Sequence, residues 1–298
     1  MGLPFRIPRC CLTLGGICLA ALLLASCATG PPDGEVPARL MSYNIRYDNP
    51  GDGVNRWELR RDRLVGLIRL HEPHFLGVQE ALHHQLAWLD GELPEMAWIG
   101  VGRDDGEQAG EYSAILYDST RFELVEDSDS TLWLSLTPGV TGSRGWDAAL
   151  PRILTFGTFR ERESGRRIMV FNTHFDHRGD TARAGSARLI AETVERMAGP
   201  EGLPAVVTGD FNATPDSEPY DRLTGGGLRD AFTESETPHV GPLFTFEGFE
   251  VGGSENPRRI DYIFVNGEVT VRSHAILSTY RDRRYPSDHL PVVADLSF

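Results

Sequence analysis

The chain has 298 residues and a formal charge of −14, and all 29 of its basic residues are arginine. Duplex nucleic acid is held mainly by neutralised phosphates, so an acidic chain with no basic stripe suits it poorly unless a site is locally basic. The missing lysine excludes a phosphate-loop lysine and a Schiff base.

In chain order, Arg6 and Arg9 precede an apolar stretch over residues 12–25. That pattern predicts a secretory signal peptide over 1–26, too short for a membrane span. Leu24, Ala25, Ser26 and Cys27 resemble the bacterial lipoprotein box, so Cys27 is expected to carry lipid and anchor an exported protein to the cell envelope. A Gly- and Pro-rich tether is expected over 27–38, and one catalytic domain over 39–298. All four cysteines (Cys10, Cys11, Cys18, Cys27) precede that domain, whose stability must come from an apolar core.

Strand-like runs follow at 39–46, 74–78, 113–117, 153–159, 168–175, 205–208, 260–265 and 292–296. Helical spacing marks Leu64, Leu67 and Ile68, and later Ala187, Ile190, Ala191, Val194 and Met197. Strands outnumber helices, which predicts a layered α/β sandwich rather than an alternating βα array. Loops at 133–151 and 234–257 are long and rich in Gly and Pro, and substrate selection is assigned to them.

Four scattered segments put polar groups where apolar strands end: Asn44, Gln79 with Glu80, Gly209 to Asn212, and Ser287 to His289. Hydrolysis of a phosphate ester needs an in-line water, shielding of the phosphoryl oxygens and stabilisation of the leaving oxygen. Glu80 and Asn44 suit Mg²⁺, although Glu80 alone also reads as an N-capping acid. Asp210 and Asn212, two residues apart, share a side, where one orients water and the other bonds a phosphoryl oxygen. Asp261 can brace His289 and keep it cationic, and Glu111 can pair with His174. Arg103, Arg178, Arg183, Trp146 and Trp57 are pocket candidates for an anionic or sugar-like substrate. The pair His71 and His74, split by Pro73, reads as a turn.

Assembled in order, Asn44, Gln79-Glu80, Asn172-Thr173-His174, Gly209-Asp210-Phe211-Asn212, Arg259-Ile260-Asp261 and Ser287-Asp288-His289 resemble the endonuclease/exonuclease/phosphatase superfamily from about residue 39 to 298. Asn44 to Asp48, Gly100 to Gly106 and Trp133 to Ser135 look like an exported bacterial and fungal branch. The resemblance implies a four-layer sandwich, with two mixed or mostly antiparallel sheets flanked by helices, and dependence on Mg²⁺ or Mn²⁺. It implies metal binding by Glu80 and Asn44 with support from Asp288. It gives Asp210 the water, Asn212 and His174 the phosphoryl oxygens, and His289, braced by Asp261, the transition state; Glu111 orients His174. The base is left open between Asp210 and His289. The expected substrate is a small phosphorylated metabolite or lipid headgroup, acted on by a monomer that meets the membrane only through its lipid. The alternative is a nuclease acting on extracellular RNA or DNA.

Overall fold

The computed structural model describes Met1, Gly2 and residues 34–298. Cys27, nearly all of the expected signal peptide and most of the expected tether lie outside the described residues. In chain order the first elements are β1 (Pro37–Asn44), α1 (Trp57–His71), β2 (Phe75–Ala81), α2 (His83–Glu92), β3 (Met96–Ile99), β4 (Tyr112–Asp118), β5 (Phe122–Leu124), β6 (Ser130–Trp133) and β7 (Ile153–Glu161). There follow β8 (Arg167–His174), α3 (Asp180–Ala198), β9 (Ala205–Asp210), α4 (Glu218–Gly225), β10 (Arg229–Asp230), α5 (Ala231–Glu234), β11 (Asp261–Val265), β12 (Thr270–Ile276) and β13 (Val292–Ser297). The fold begins earlier than expected, because Pro37 already pairs with Ser297 and the Val36 N–H bonds the Phe298 carbonyl.

The strands form two sheets, ordered β12-β13-β1-β2-β4-β3 and β10-β11-β9-β8-β7-β5, with β6 also on β7. Each has a parallel pair at its centre, β1 with β2 and β8 with β9, and antiparallel neighbours outside. A parallel pair needs a crossover, and α1 and α3 supply it. Leu40, Phe75, Val170, Val206 and Ile263 fill the layer between the sheets. Their neighbours in sequence turn outward: Met41 and Leu76 pack with α1 and α2, and Phe171 and Val207 with α3. Strands buried on both faces read as continuous apolar runs, and the outcome is a four-layer α/β sandwich. Trp57 belongs to the outer core at 2% exposure, edge-on to Trp88, so it is not a pocket residue. His71 ends α1, and His74 accepts the Arg39 N–H through Nδ1 (2.9 Å), so this pair is structural.

Along the inter-sheet face the apolar residues give way to polar ones. Asn172 on β8 crosses the gap, and its Nδ2 donates to the Val78 and Ala114 carbonyls of the facing sheet, both at 2.8 Å. Its Oδ1 accepts from Gln79 (2.7 Å) and Thr208 (3.0 Å). Gly77 makes this approach possible, because a Cβ there would lie 2.1 Å from Thr208 Oγ1.

A Gly77→Ala substitution is expected to cost about 1–3 kcal/mol of stability through overpacking, read as a lower urea midpoint with unchanged slope. A second expectation concerns His274, buried on β12, where its Nδ1 lies 2.9 Å from that of His239. Burial, His239 and Arg259 push His274 down to about 3. An unfolded histidine titrates near 6.5, so below that value the unfolded chain binds a proton the native chain refuses, and stability falls as pH drops. His274→Gln should flatten this acid-side decline when unfolding is followed from about pH 7 to 4.

Candidate active site

The same-face periodicity of a strand builds one rim. On β1 the inward positions run Leu40, Ser42, Asn44; on β8, Val170, Asn172, His174; on β9, Val206, Thr208, Asp210. Asn44, His174 and Asp210 are therefore last in their strands, at the carboxyl ends of the central parallel pairs, where open α/β sheets place their ligands. Asp261 opens β11 directly across from Asp210. Glu80 obeys a different rule. Strict alternation after inward-facing Gln79 would turn it outward, but the register between β2 and β4 shifts between Val78 and Ala81, and Glu80 takes φ 63°. This bulge re-aims the carboxylate into the site. Asn212, just beyond β9, likewise sits at φ 46°.

One oxygen each of Glu80 and Asp210 and one ring nitrogen of His289 lie within 4.8 Å of one another. Asn44 Nδ2 donates to Glu80 Oε1 (3.1 Å) and Asp210 Oδ2 (2.9 Å), while its Oδ1 accepts the Arg46 N–H (3.0 Å). Asn44 thus presents its amide hydrogens to the carboxylates and its oxygen to a backbone donor. Asp210 Oδ1 is held by the Asn212 N–H (2.9 Å). His289 Nδ1 meets Asp261 Oδ2 at 2.9 Å, and its Nε2 faces Asp210 at 3.7 Å. Asp288 turns towards Arg46 (3.8 Å), apart from the three-residue cluster, and Ser287 Oγ donates to the Asn44 carbonyl (2.7 Å).

Buried charge governs this rim. Burial and then Asp261 raise Asp210, against the pull of His289, to about 7. Burial opposes a charge on His289, but Asp261 and Asp210 outweigh it and push the imidazole up to about 10. Burial also raises Asp288, with Glu80 adding to it. Crowded carboxylates that resist ionising mark a place where a cation would relieve repulsion. With two carboxylate oxygens converging, the donor set fits a hard divalent ion held by Glu80 and Asp210, although nothing in the geometry distinguishes Mg²⁺ from Mn²⁺.

The imidazole of His174 lies 3.5 Å from Asp210. Asn212 Nδ2 donates to the Phe175 carbonyl (3.1 Å) and approaches His174 Nε2 (3.2 Å), which must therefore accept. His174 is thus neutral with its proton on Nδ1, an atom with no partner. Burial, Arg152 and Arg103 hold its pKa well below the usual value. Both amide hydrogens of Asn212 are engaged, while the Nδ1–H of His174 faces Glu111 at 3.8 Å. Glu111 does not orient His174 as expected: it binds Arg103 through both oxygens (2.6 and 2.9 Å) and stays 3.8 Å from His174 Nδ1.

Pairing removes Arg103 from the substrate candidates, since it is 7% exposed. Arg183 is tied to the Asp176 carbonyl and Asp180. Trp146 packs over Gly185 on α3, filling the space a Cβ would need. Arg178 remains exposed and, among the described residues, its side chain has no polar partner. Two residues escaped the sequence reading. Arg60, 1% exposed, donates to the carbonyls of Ile45, Arg46 and Pro286 and so ties the turn after β1 to the turn before Asp288. Arg152, 4% exposed, lies behind His174. Neither stands in a motif, and buried arginines resemble surface ones in sequence.

Residues 41–289 match the endonuclease/exonuclease/phosphatase family. Among solved structures, an endonuclease/exonuclease/phosphatase from Bacteroides vulgatus is 40% identical, with TM-score 0.83, over 88% of this chain and 98% of that one. A mannosyl-6-phosphatase from Bacteroides thetaiotaomicron is 37% identical, with TM-score 0.81, over 88% of this chain and 100% of that one. Human nocturnin is 24% identical over 91% of this chain and 67% of that protein, and its catalytic domain, at 22% identity and TM-score 0.69, shares the fold.

Replacing Glu80 by Gln is expected to weaken binding of Mg²⁺ or Mn²⁺ by at least about tenfold in calorimetry. Because the change removes one crowded charge, the metal-free protein should melt no lower than the wild type.

Proposed function

Because the chain belongs to the endonuclease/exonuclease/phosphatase family, we propose that it removes phosphate from small hydroxylated molecules, with sugar phosphates as the favoured class, using a divalent cation, Mg²⁺ or Mn²⁺. The observation that carries this reading is the convergence of Glu80, Asp210 and His289 from separate strand ends within 4.8 Å. The choice of substrate class is supported by likeness to the Bacteroides mannosyl-6-phosphatase over that protein's whole length. It is also supported by the acidic chain, which disfavours polyanions.

A cation bound by Glu80 and Asp210 would shield phosphoryl oxygens and assist an in-line displacement. The protein's own groups divide the proton work. Asp210 would orient the attacking water, its second oxygen fixed by the Asn212 N–H. Held cationic by Asp261 and Asp210, His289 would offer its Nε2–H to an oxygen on which negative charge grows. His174, neutral, packs against Asp210 without adding charge. The same proposal keeps the protein at the cell envelope on a lipid carried by Cys27, as a monomer touching the membrane nowhere else. Among the described residues no helix is long and apolar enough to cross a membrane.

The test is purified protein with Mg²⁺ or Mn²⁺ on sugar phosphates, aryl phosphates, phosphodiesters and single-stranded oligonucleotides. Release of phosphate from sugar phosphates is expected, abolished by chelation and reduced at least about 10³-fold by Asp210→Asn. Shortened oligonucleotides without phosphate release would replace this reading by the nuclease, and activity surviving both chelation and Asp210→Asn would overturn the metal mechanism. Asp261→Asn, which keeps a hydrogen-bond partner for His289 but removes the charge, should lower kcat on the order of 10²-fold.

A further inference from the structure

Three residues beyond His174, the chain makes a turn whose geometry is fixed by one buried carboxylate. Asp176, 1% exposed, accepts the N–H groups of Arg178 and Gly179 through Oδ1, both at 2.9 Å. Its Oδ2 accepts those of Ala149 (3.1 Å) and Leu150 (3.2 Å) from the neighbouring long loop. Those backbone donors overcome burial and pull Asp176 down to about 2, so it is ionised. The turn it anchors carries His177, whose ring is exposed.

Arg152 aims that ring. Its NH2 lies 3.0 Å from His177 Nδ1, and its Nε lies 3.5 Å from Asp176 Oδ2. A guanidinium only donates, so Nδ1 must offer its lone pair and the ring proton must sit on Nε2, at the opposite edge. A second ring proton would point at Arg152, so His177 is a neutral donor with a fixed direction. Burial, followed by Arg152, lowers its pKa accordingly. For the fold alone Arg152 is a poor choice. Its Nε and NH1 are buried with no hydrogen-bond partner, and an apolar side chain of similar size would cost less there. Beside His177, the exposed guanidinium of Arg178 is free to turn towards an oxygen.

We propose that His177, aimed by Arg152, is a substrate-binding residue that donates Nε2–H to the hydroxyl-bearing part of the phosphorylated substrate, with Arg178 flanking it. The choice of a sugar-like group rests on the function proposed above. Arg152 is a positioning residue, and His177 touches the ligand. The neutral donor suits hydroxyl and ester oxygens, while the phosphate is left to the cationic His289 and the cation site.

Two readouts test this. In long-range ¹⁵N–¹H spectra of the Mg²⁺-loaded protein, His177 should show the neutral Nε2–H form and shift when a phosphonate analogue of mannose 6-phosphate, which cannot be hydrolysed, is added. Arg152→Gln should turn that signal into a mixture of tautomers. In kinetics, His177→Phe should lower the ratio of kcat/KM for the sugar phosphate to that for an aryl phosphate by about tenfold, the worth of one hydrogen bond, mostly through KM. A wild-type Nδ1–H form, or an unchanged ratio in His177→Phe, overturns the proposal. Lack of sugar-phosphate turnover by the wild type sinks the functional reading; a His177 signal indifferent to the phosphonate analogue sinks this one, whatever the turnover.

Discussion

The hydrogen-bonding of Asn172 is the constraint on which the rest depends. Two sheets packed face to face through apolar side chains can slide, since dispersion and burial are indifferent to small shifts. A buried amide with all four hydrogen-bond positions filled is not indifferent, because each lost partner leaves an unsatisfied polar group costing about 1–3 kcal/mol. Asn172 bonds two carbonyls of the facing sheet, and Gln79 and Thr208 complete its oxygen. The β2 bulge lies beside Val78, so the carbonyl that Asn172 takes and the residue that the bulge re-aims, Glu80, are neighbours. Registering the sheets and pointing the carboxylate are therefore one structural event.

From that register the electrostatics follow. Asp210 and Asp261 sit opposite each other across β9 and β11, and their mutual repulsion is tolerated because His289 lies against both. The cluster remains rich in acid, with Glu80 and Asp288 close by and Arg46 the nearest guanidinium. Positive φ at Arg46, Glu80 and Asn212 adds strain of about 1–3 kcal/mol for each residue. Three such residues around one rim show a backbone bent to place side chains rather than to maximise its own stability. Arg60 offsets part of this by supplying donors to carbonyls that the bent turns leave without ladder partners.

Some of this was readable in the chain. The central strands are apolar on both faces, so β1, β2, β8 and β9 stood out as continuous runs leading to Asn44, Glu80, His174 and Asp210, and β11 and β13 as runs that follow Asp261 and His289. The edge strand β12 did not, because Arg272, Ser273 and His274 stand consecutively within it and break any apolar run or alternation. The short β3, β5 and β6 fell within polar or turn-rich stretches. The composition of the loop over 234–257 did not say where it packs. There Thr245 Oγ1 accepts the N–H groups of Ile260 and Asp261, and the ring of Phe246 lies 4.9 Å from that of His289. Thr245 thus joins this loop to the start of the strand that carries the brace of His289.

Residue identity and two-residue spacing determined which groups reach the rim, since a strand whose apolar positions lead to Asn44, His174 or Asp210 must present them on the inner face. Which atom of each group points where was a tertiary decision. A backbone N–H turned the Asn44 amide, Arg103 claimed Glu111, Asn212 chose the tautomer of His174 and Arg152 that of His177. Hydrogen-bond direction depends on the nearest competing donor or acceptor, and those competitors stand from 2 to 38 residues away in the chain, at positions that no apolar periodicity marks.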